Sequence, residues 1–221
     1  MRKRISLKTR RPDLSRSEFR NYYENQHVPL GLTFIDRFGW RRYVRNHVLT
    51  ATGTPVGFDC YAEFWVDDDF DDRALEEFIG SPEFQKLDVD DRCFLDVTRR
   101  LSFEVCETLV SRGCGEAHVA RNGVVLWTRG AEPVEETEGV ARRIVDSFGE
   151  RVVDAILDRP IEAIPPGAPF DTLLKIRFGD AGPVVLDATV VPGSPWSLIT
   201  VDPIETPSDL LRSVADDKPN Q

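Results

Sequence analysis

At 221 residues, with 41% hydrophobic and 30% charged side chains, the chain has the composition of an ordinary soluble globular protein, long enough for one large domain or two small ones. A net charge of -10 and a sequence pI near 4.9 repel phosphate backbones and anionic membranes, so neither nucleic acid nor a membrane is expected as a partner. The four cysteines, Cys60, Cys93, Cys106 and Cys114, form no CxxC pair and have no histidine at metal-ligand spacing. With no leader-like apolar block near the start and no apolar run of the roughly 20 residues that span a bilayer, a reduced, cytoplasmic protein is expected.

Arg4 to Thr9 alternates polar and apolar residues, the pattern of a half-buried strand. Arg11-Pro12-Asp13 turns the chain into SRSEFRNYYENQHVPL, residues 15–30. There Ser15 and Glu18 have capping-box spacing, and Phe19, Tyr22, Tyr23, Gln26, His27 and Leu30 recur on one helix face. Pro29 disfavours helical geometry at Val28, which predicts that the helix stops there and places His27 in its last turn, where the negative end favours imidazolium. The first twenty residues carry eight Arg and Lys against Asp13 and Glu18 alone. That basic edge reads as neutralised by the acidic run at 67–72, with attraction of an anionic substrate as the other reading.

Gly39 releases a second strand, Trp40 to Leu49, and Thr50 to Gly57 reads as a turn. The third strand, Phe58 to Val66, is apolar on both sides apart from Asp59 and Glu63. A helix follows over Arg73 to Leu87, interrupted at Gly80-Ser81-Pro82, and then a fourth strand over Arg100 to Thr108. Strand, helix, strand, strand, helix, strand is the split βαβ order of a ferredoxin-like unit, here over residues 1–110. Residues 111–205 repeat the plan in abbreviated form. They offer a strand at Gly123 to Arg129, one helix at Val134 to Phe148, an undecided segment at Arg151 to Leu157, and β-rich runs at Leu173 to Phe178, Val184 to Val191 and Ser197 to Val201. Residues 206–221 read as a polar tail. The expected fold class is α+β. Two tandem βαββαβ-type repeats would close a barrel within one chain, because a sheet with both helices on one face must cover the other.

Three polar positions interrupt apolar faces. His27 is either a packed histidine bonded to a carbonyl or a general acid–base, since imidazole titrates near pH 6.5. His47 shares a strand side with Tyr43. Together with Tyr61, Glu63 and Trp65 they would form an aromatic pocket with a few convergent polar groups. Glu63, inside YAEFW, needs a donor: His47, an ion pair with Arg42 or Arg45, or a ligand. Cys60 reads as core filler, Gly113-Cys114-Gly115 lacks the setting of a phosphate loop, and His118 sits in a linker-like stretch.

In order, LKTRRPDLSRSEFRNYYENQHVPL, RRYVRNHVL, FDCYAEFWVDD, SPEF and FLD resemble the EthD family of dimeric α/β-barrel proteins over residues 7–104. The resemblance implies a ferredoxin-like unit whose sheets pair around an apolar pocket, with the family's homodimer as an expected assembly of this chain. Enzymes of this kind act without metal or organic cofactor as isomerases, lyases, dehydratases or cyclases on lactones, cyanohydrins, and polyketide or aromatic intermediates. The family's helix histidine maps onto His27, its strand Asn–His pair onto Asn46 and His47, and the Asp, Glu and Trp of its third strand onto Asp59, Glu63 and Trp65. Joined with the aromatic residues read above, the expected catalytic residues are His27, assisted by His47 or Glu63, and the expected substrate-binding ones are Tyr23, Tyr43, Asn46, Asp59, Tyr61 and Trp65. The implied function is a cofactor-independent acid–base enzyme acting on a hydrophobic oxygenated small molecule. A non-catalytic small-molecule binding or accessory protein and a cofactor-free monooxygenase are the alternatives.

Overall fold

In a computed structural model, residues 1–112, 118–128, 134–164, 168–191 and 195–211 are described. They form a mixed α/β fold with eight strands: β1 (Arg2–Lys8), β2 (Trp40–Gly53), β3 (Cys60–Val66), β4 (Leu101–Arg112), β5 (Arg121–Trp127), β6 (Val152–Pro160), β7 (Thr172–Phe178) and β8 (Trp196–Glu205). The helices are α1 (Arg16–Tyr22), α2 (Val28–Leu32), α3 (Ile35–Phe38), α4 (Asp72–Ile79), α5 (Phe84–Phe94) and α6 (Val134–Phe148). Along the hydrogen bonds the strand order is β1-β3-β2-β8-β5-β7-β6-β4, that of a closed antiparallel barrel. No described helix is long and apolar enough to cross a membrane. Cys60, Cys93 and Cys106 are free thiols, and Cys114 lies outside the described residues.

The chain divides into two compact units, one of residues 1–46, 58–102 and 204–221, the other of residues 47–57 and 103–203. They are not consecutive halves of the chain, because β2 continues to Gly53 through the stretch that reads as a turn, and its outer end pairs with β8. There Thr50 and Thr200 share a hydroxyl hydrogen bond of 2.7 Å, and Ser197 Oγ donates to the Thr54 carbonyl at 2.5 Å.

In the first unit, β1 and β3 are antiparallel with Lys3 opposite Trp65 and Ile5 opposite Glu63. Cys60, Ala62 and Tyr43 face the helices and pack with Phe19, Tyr23, Val28, Phe94 and Leu95, while Phe64 packs against the cluster's edge. Residues 206–211, expected as tail, belong to this unit together with the end of β8. The Thr206 N–H donates to the Tyr43 carbonyl at 3.0 Å, and Leu211 is buried in the same cluster. In the second unit, α6 lays Val140, Ala141, Ile144, Val145 and Phe148 on Val125, Trp127, Leu174, Ile176 and Phe178. Of the undecided segment Arg151 to Leu157, Arg151 ends a 3₁₀ turn and the strand β6 begins at Val152. Val184 to Val191 is not one: after Pro183 the chain runs without a ladder into a 3₁₀ turn at Ala188–Val190, capped by Asp187.

The opening helix departs from expectation in a way that matters for His27. The capping box is present, with Ser15 N–H donating to Glu18 at 2.8 Å and Glu18 N–H to Ser15 at 3.2 Å. Pro29 does not end the helix. Val28 is helical, and the chain continues through α2 to Leu32. The accommodation is a π-helical turn, Tyr23–His27, closed by the Val28 N–H bonding to the Tyr23 carbonyl. Proline lacks an N–H and collides with the carbonyl four residues back, and a widened turn moves that carbonyl away. One residue is thereby added to the helix phase, so Phe19, Tyr23 and Val28 are buried while Gln26, expected on the inner face, is exposed.

Candidate active site

His27 ends the π turn and leans toward α5. Its ring lies 4.9 Å from that of Phe94 and 5.4 Å from that of Tyr23. Nδ1 is 2.7 Å from Asp90 Oδ2, and the other oxygen of that carboxylate accepts from the Tyr22 hydroxyl at 2.8 Å. Asp91 Oδ1 stands 3.6 Å from the same Nδ1, while Asp91 Oδ2 takes Arg100 at 2.7 Å. His27 and Asp90 each keep 14% of their side-chain surface exposed, so the pair is nearly enclosed yet reachable.

Burial pushes the His27 imidazole below its ordinary 6.5, outweighing Asp91 and Asp90, which pull it up; Lys8 adds to the depression. The expectation of imidazolium at a helix end is thereby corrected. The helix does not end at His27, and desolvation rather than the helix dipole governs the ring. With Asp90 ionised, Nδ1 carries the hydrogen and Nε2 carries the free lone pair. The Tyr22 phenol is pushed up by burial and by its bond to Asp90, so it stays a donor.

The structure distributes the other expected residues over separate places. Tyr43 faces the helices, stacks on Phe64 at 4.7 Å, and shares a 3.0 Å hydroxyl bond with Tyr23; burial pushes both phenols up. Glu63 and Trp65 lie on the other side of the sheet, in register with Ile5 and Lys3. The single aromatic pocket expected to join Tyr43 with Tyr61, Glu63 and Trp65 therefore does not form, since strand alternation sends odd positions of β2 and of β3 to opposite faces. His47 shares the strand parity of Tyr43 and is buried. Glu63 is held by the Lys3 ammonium at 2.5 Å and by Asn46 Nδ2 at 2.9 Å. Asn46 also donates to the Tyr61 carbonyl at 3.4 Å. Lys3 and Arg42 both lie over the Trp65 ring, at 4.8 and 4.6 Å. Arg45 instead bonds Glu24 at 2.9 Å and Thr206 at 2.6 Å. Tyr61 is buried with its ring edge-on to Phe58. Asp59 clamps Arg10 and Arg16, each at 3.3 Å, near the surface.

The acidic run expected to neutralise the basic start does so in part. Asp68 takes the terminal amine at 2.9 Å, Asp72 takes Arg2 at 2.6 Å, and Asp67 takes Arg41 at 2.6 Å. Cys60 is buried in the core with its thiol pushed up by burial. Gly113-Cys114-Gly115 lies outside the described residues, and His118 is exposed.

Asp90, Asp91, Tyr22 and Lys8 are the residues that sequence reasoning missed around His27. A signal existed: Leu87, Asp91 and Phe94 stand four and three residues apart, so a carboxylate falls on the apolar face of a helix. Ending that helix at Leu87 hid it.

The family model of the EthD domain matches residues 11–98, the segment that carries Tyr22, His27, Asp90 and Asp91 but not Lys8 or Arg100. No curated protein matches the sequence. Similar solved structures include an anthrone oxidase-like protein, 9% identical with TM-score 0.49, covering 92% of this chain and 92% of that one. A proposed monooxygenase from Lactobacillus acidophilus NCFM is 7% identical with TM-score 0.46, covering 91% of this chain and 93% of that one. A proposed monooxygenase from Fusobacterium nucleatum is 10% identical with TM-score 0.47, covering 90% and 91% respectively.

Proposed function

We propose that the protein is an acid–base enzyme in which His27, oriented by Asp90, moves a proton on a hydrophobic oxygenated small molecule, in a lyase, dehydratase, isomerase or cyclase reaction. The supporting observation is the 2.7 Å bond between His27 Nδ1 and Asp90 on a ring whose burial keeps it neutral. A neutral imidazole with Nδ1–H committed to a carboxylate presents Nε2 as the base. Taking a proton from carbon beside a carbonyl makes imidazolium, which Asp90 stabilises, and the same proton can be returned elsewhere on the product. Tyr22 holds the second Asp90 oxygen and so fixes the carboxylate. That no cofactor is invoked follows from the EthD resemblance.

The strand order supports a second element of the proposal. In each half of the chain, the first strand lies between the fourth and the third, and the second flanks the third: β4-β1-β3-β2, then β8-β5-β7-β6. This is the ferredoxin-like order twice, with α6 as the second repeat's only α-helix among the described residues. Such a chain takes the place of two single-repeat subunits.

Solvent-deuterium incorporation into 2-tetralone, an enolisable bicyclic ketone, tests the acid–base role by NMR. The protein accelerates exchange over buffer, His27→Gln loses about 10²–10⁴ of that acceleration, Asp90→Asn loses part of it, and His118→Gln loses none, all with near-native melting. A His27→Gln protein exchanging at the wild-type rate overturns the proposal.

A further inference from the structure

Lys8 ends β1 opposite Cys60, on the sheet side that faces the helices. Among the described residues its ammonium makes no hydrogen bond or ion pair, although Asp91, Arg100 and His27 are all near enough to feel its charge. Across from it, Asp91 Oδ1 is buried and accepts no hydrogen bond. Leaving a buried acceptor unpaired costs about 1–3 kcal/mol, and a half-buried ammonium without an acceptor is costly as well. Arg100 takes the other Asp91 oxygen at 2.7 Å and itself reaches Asp88 at 3.6 Å. A cation without an acceptor and an acceptor without a donor thus flank the ring whose Nε2 is the proposed base. Both want the same guest: one oxygen bearing negative charge for Lys8 and one hydroxyl for Asp91.

We propose that Lys8 is the oxyanion-binding residue of the His27 site, and that the site takes enolisable carbonyl compounds as their oxyanions, with a neighbouring hydroxyl donating to Asp91. The assignment rests on His27 being the base. When Nε2 removes a proton from the carbon beside a carbonyl, the electron pair of the broken C–H bond moves onto the carbonyl oxygen, and Lys8 is where that charge is met. Placing a fixed cation where charge develops is a principal source of rate enhancement. Burial keeps the lysine below its ordinary pKa when the site is empty, and an anion pairing with it restores the charged form.

The test compares two probes of one shape: 2-hydroxy-1,4-naphthoquinone, an anion at neutral pH, and its uncharged 2-methoxy ether, titrated into the full chain by calorimetry. The anion is expected to bind at least tenfold more tightly than the ether. Lys8→Met should abolish that preference while leaving affinity for the ether within twofold, and Lys8→Arg should keep it. Lys8→Met should also raise the pH at which the His27 imidazole titrates by NMR, because a neighbouring cation is gone, and this readout confirms a folded variant. Equal affinity for both probes, no binding of either, a preference that survives Lys8→Met, or an unmoved His27 titration each overturns the assignment. Failure of the acid–base proposal is distinguishable: deuterium exchange would survive His27→Gln while the anion preference still depended on Lys8.

Discussion

His27 is a buried neutral base, and burial of that kind has a thermodynamic consequence. In the unfolded chain its imidazole binds a proton near pH 6.5, whereas the folded ring resists protonation. The unfolded state therefore holds more protons just below 6.5, and the contribution of His27 to stability shrinks as pH falls through that region. Chemical denaturation at pH 7 and pH 5.5 checks it: His27→Gln should flatten the part of the acid-side loss that this ring causes, and an unchanged slope counts against the buried neutral ring. At Glu63 the chemical argument from sequence holds, since a carboxylate inside an apolar strand does find a donor. Its identity was not legible, because Lys3 and Asn46 are chosen by strand register across β1, β2 and β3. Truncation by Glu63→Ala removes the carboxylate that stands 2.5 Å from the buried Lys3 ammonium, and breaking a buried pair costs about 3–5 kcal/mol. Urea unfolding reads it, and a loss under 1 kcal/mol contradicts the pairing.

The π turn at Tyr23–His27 shows why an element that is plain in the sequence can still be misread in detail. The capping box and the apolar period reveal the helix; the proline signals a stop. What sequence periodicity cannot show is that the chain widens one turn and goes on, which shifts the buried set from Gln26 to Val28. Deleting exposed Gln26 takes away the extra residue, brings Pro29 back against the carbonyl four residues before it, and should rotate His27 by about 100° relative to the residues before it. Circular dichroism should then show a loss of helix, while NMR shows His27 titrating as a solvated imidazole freed of Asp90; an unmoved titration speaks against the turn's role. Gly39 is the other local device. It caps α3 at φ +60°, and a side chain there would meet the ring of Phe70, so Gly39→Ala should destabilise by more than about 1 kcal/mol.

Across the whole molecule, the order of strands and the paired helix–sheet layers of the first unit were readable from periodicity, and the EthD resemblance added the expected site. The parts that were not readable depend on long-range pairing. Residues 206–211 look like a polar tail, yet with the end of β8 they close the first unit through Glu205 to Arg42 at 2.8 Å, Thr206 to Arg45 at 2.6 Å, and the burial of Leu211. Leu211→Ala alone should cost about 2–5 kcal/mol, and ending the chain at Pro203 should lower the melting temperature further. A truncated chain that melts like the full one would show that the segment contributes nothing. The position of His27 is likewise set by long-range packing, against Phe94 of α5 on the side of the sheet that faces the helices.

The pH dependence of deuterium exchange into 2-tetralone tests the acid–base claim most directly, because it joins the ring's environment to its chemistry. The rate should rise with pH as His27 loses its proton, with an apparent pKa below 6.5 that matches the NMR titration of the same ring, and the profile should vanish in His27→Gln. A rate independent of pH across that range, or a profile that persists without His27, contradicts it.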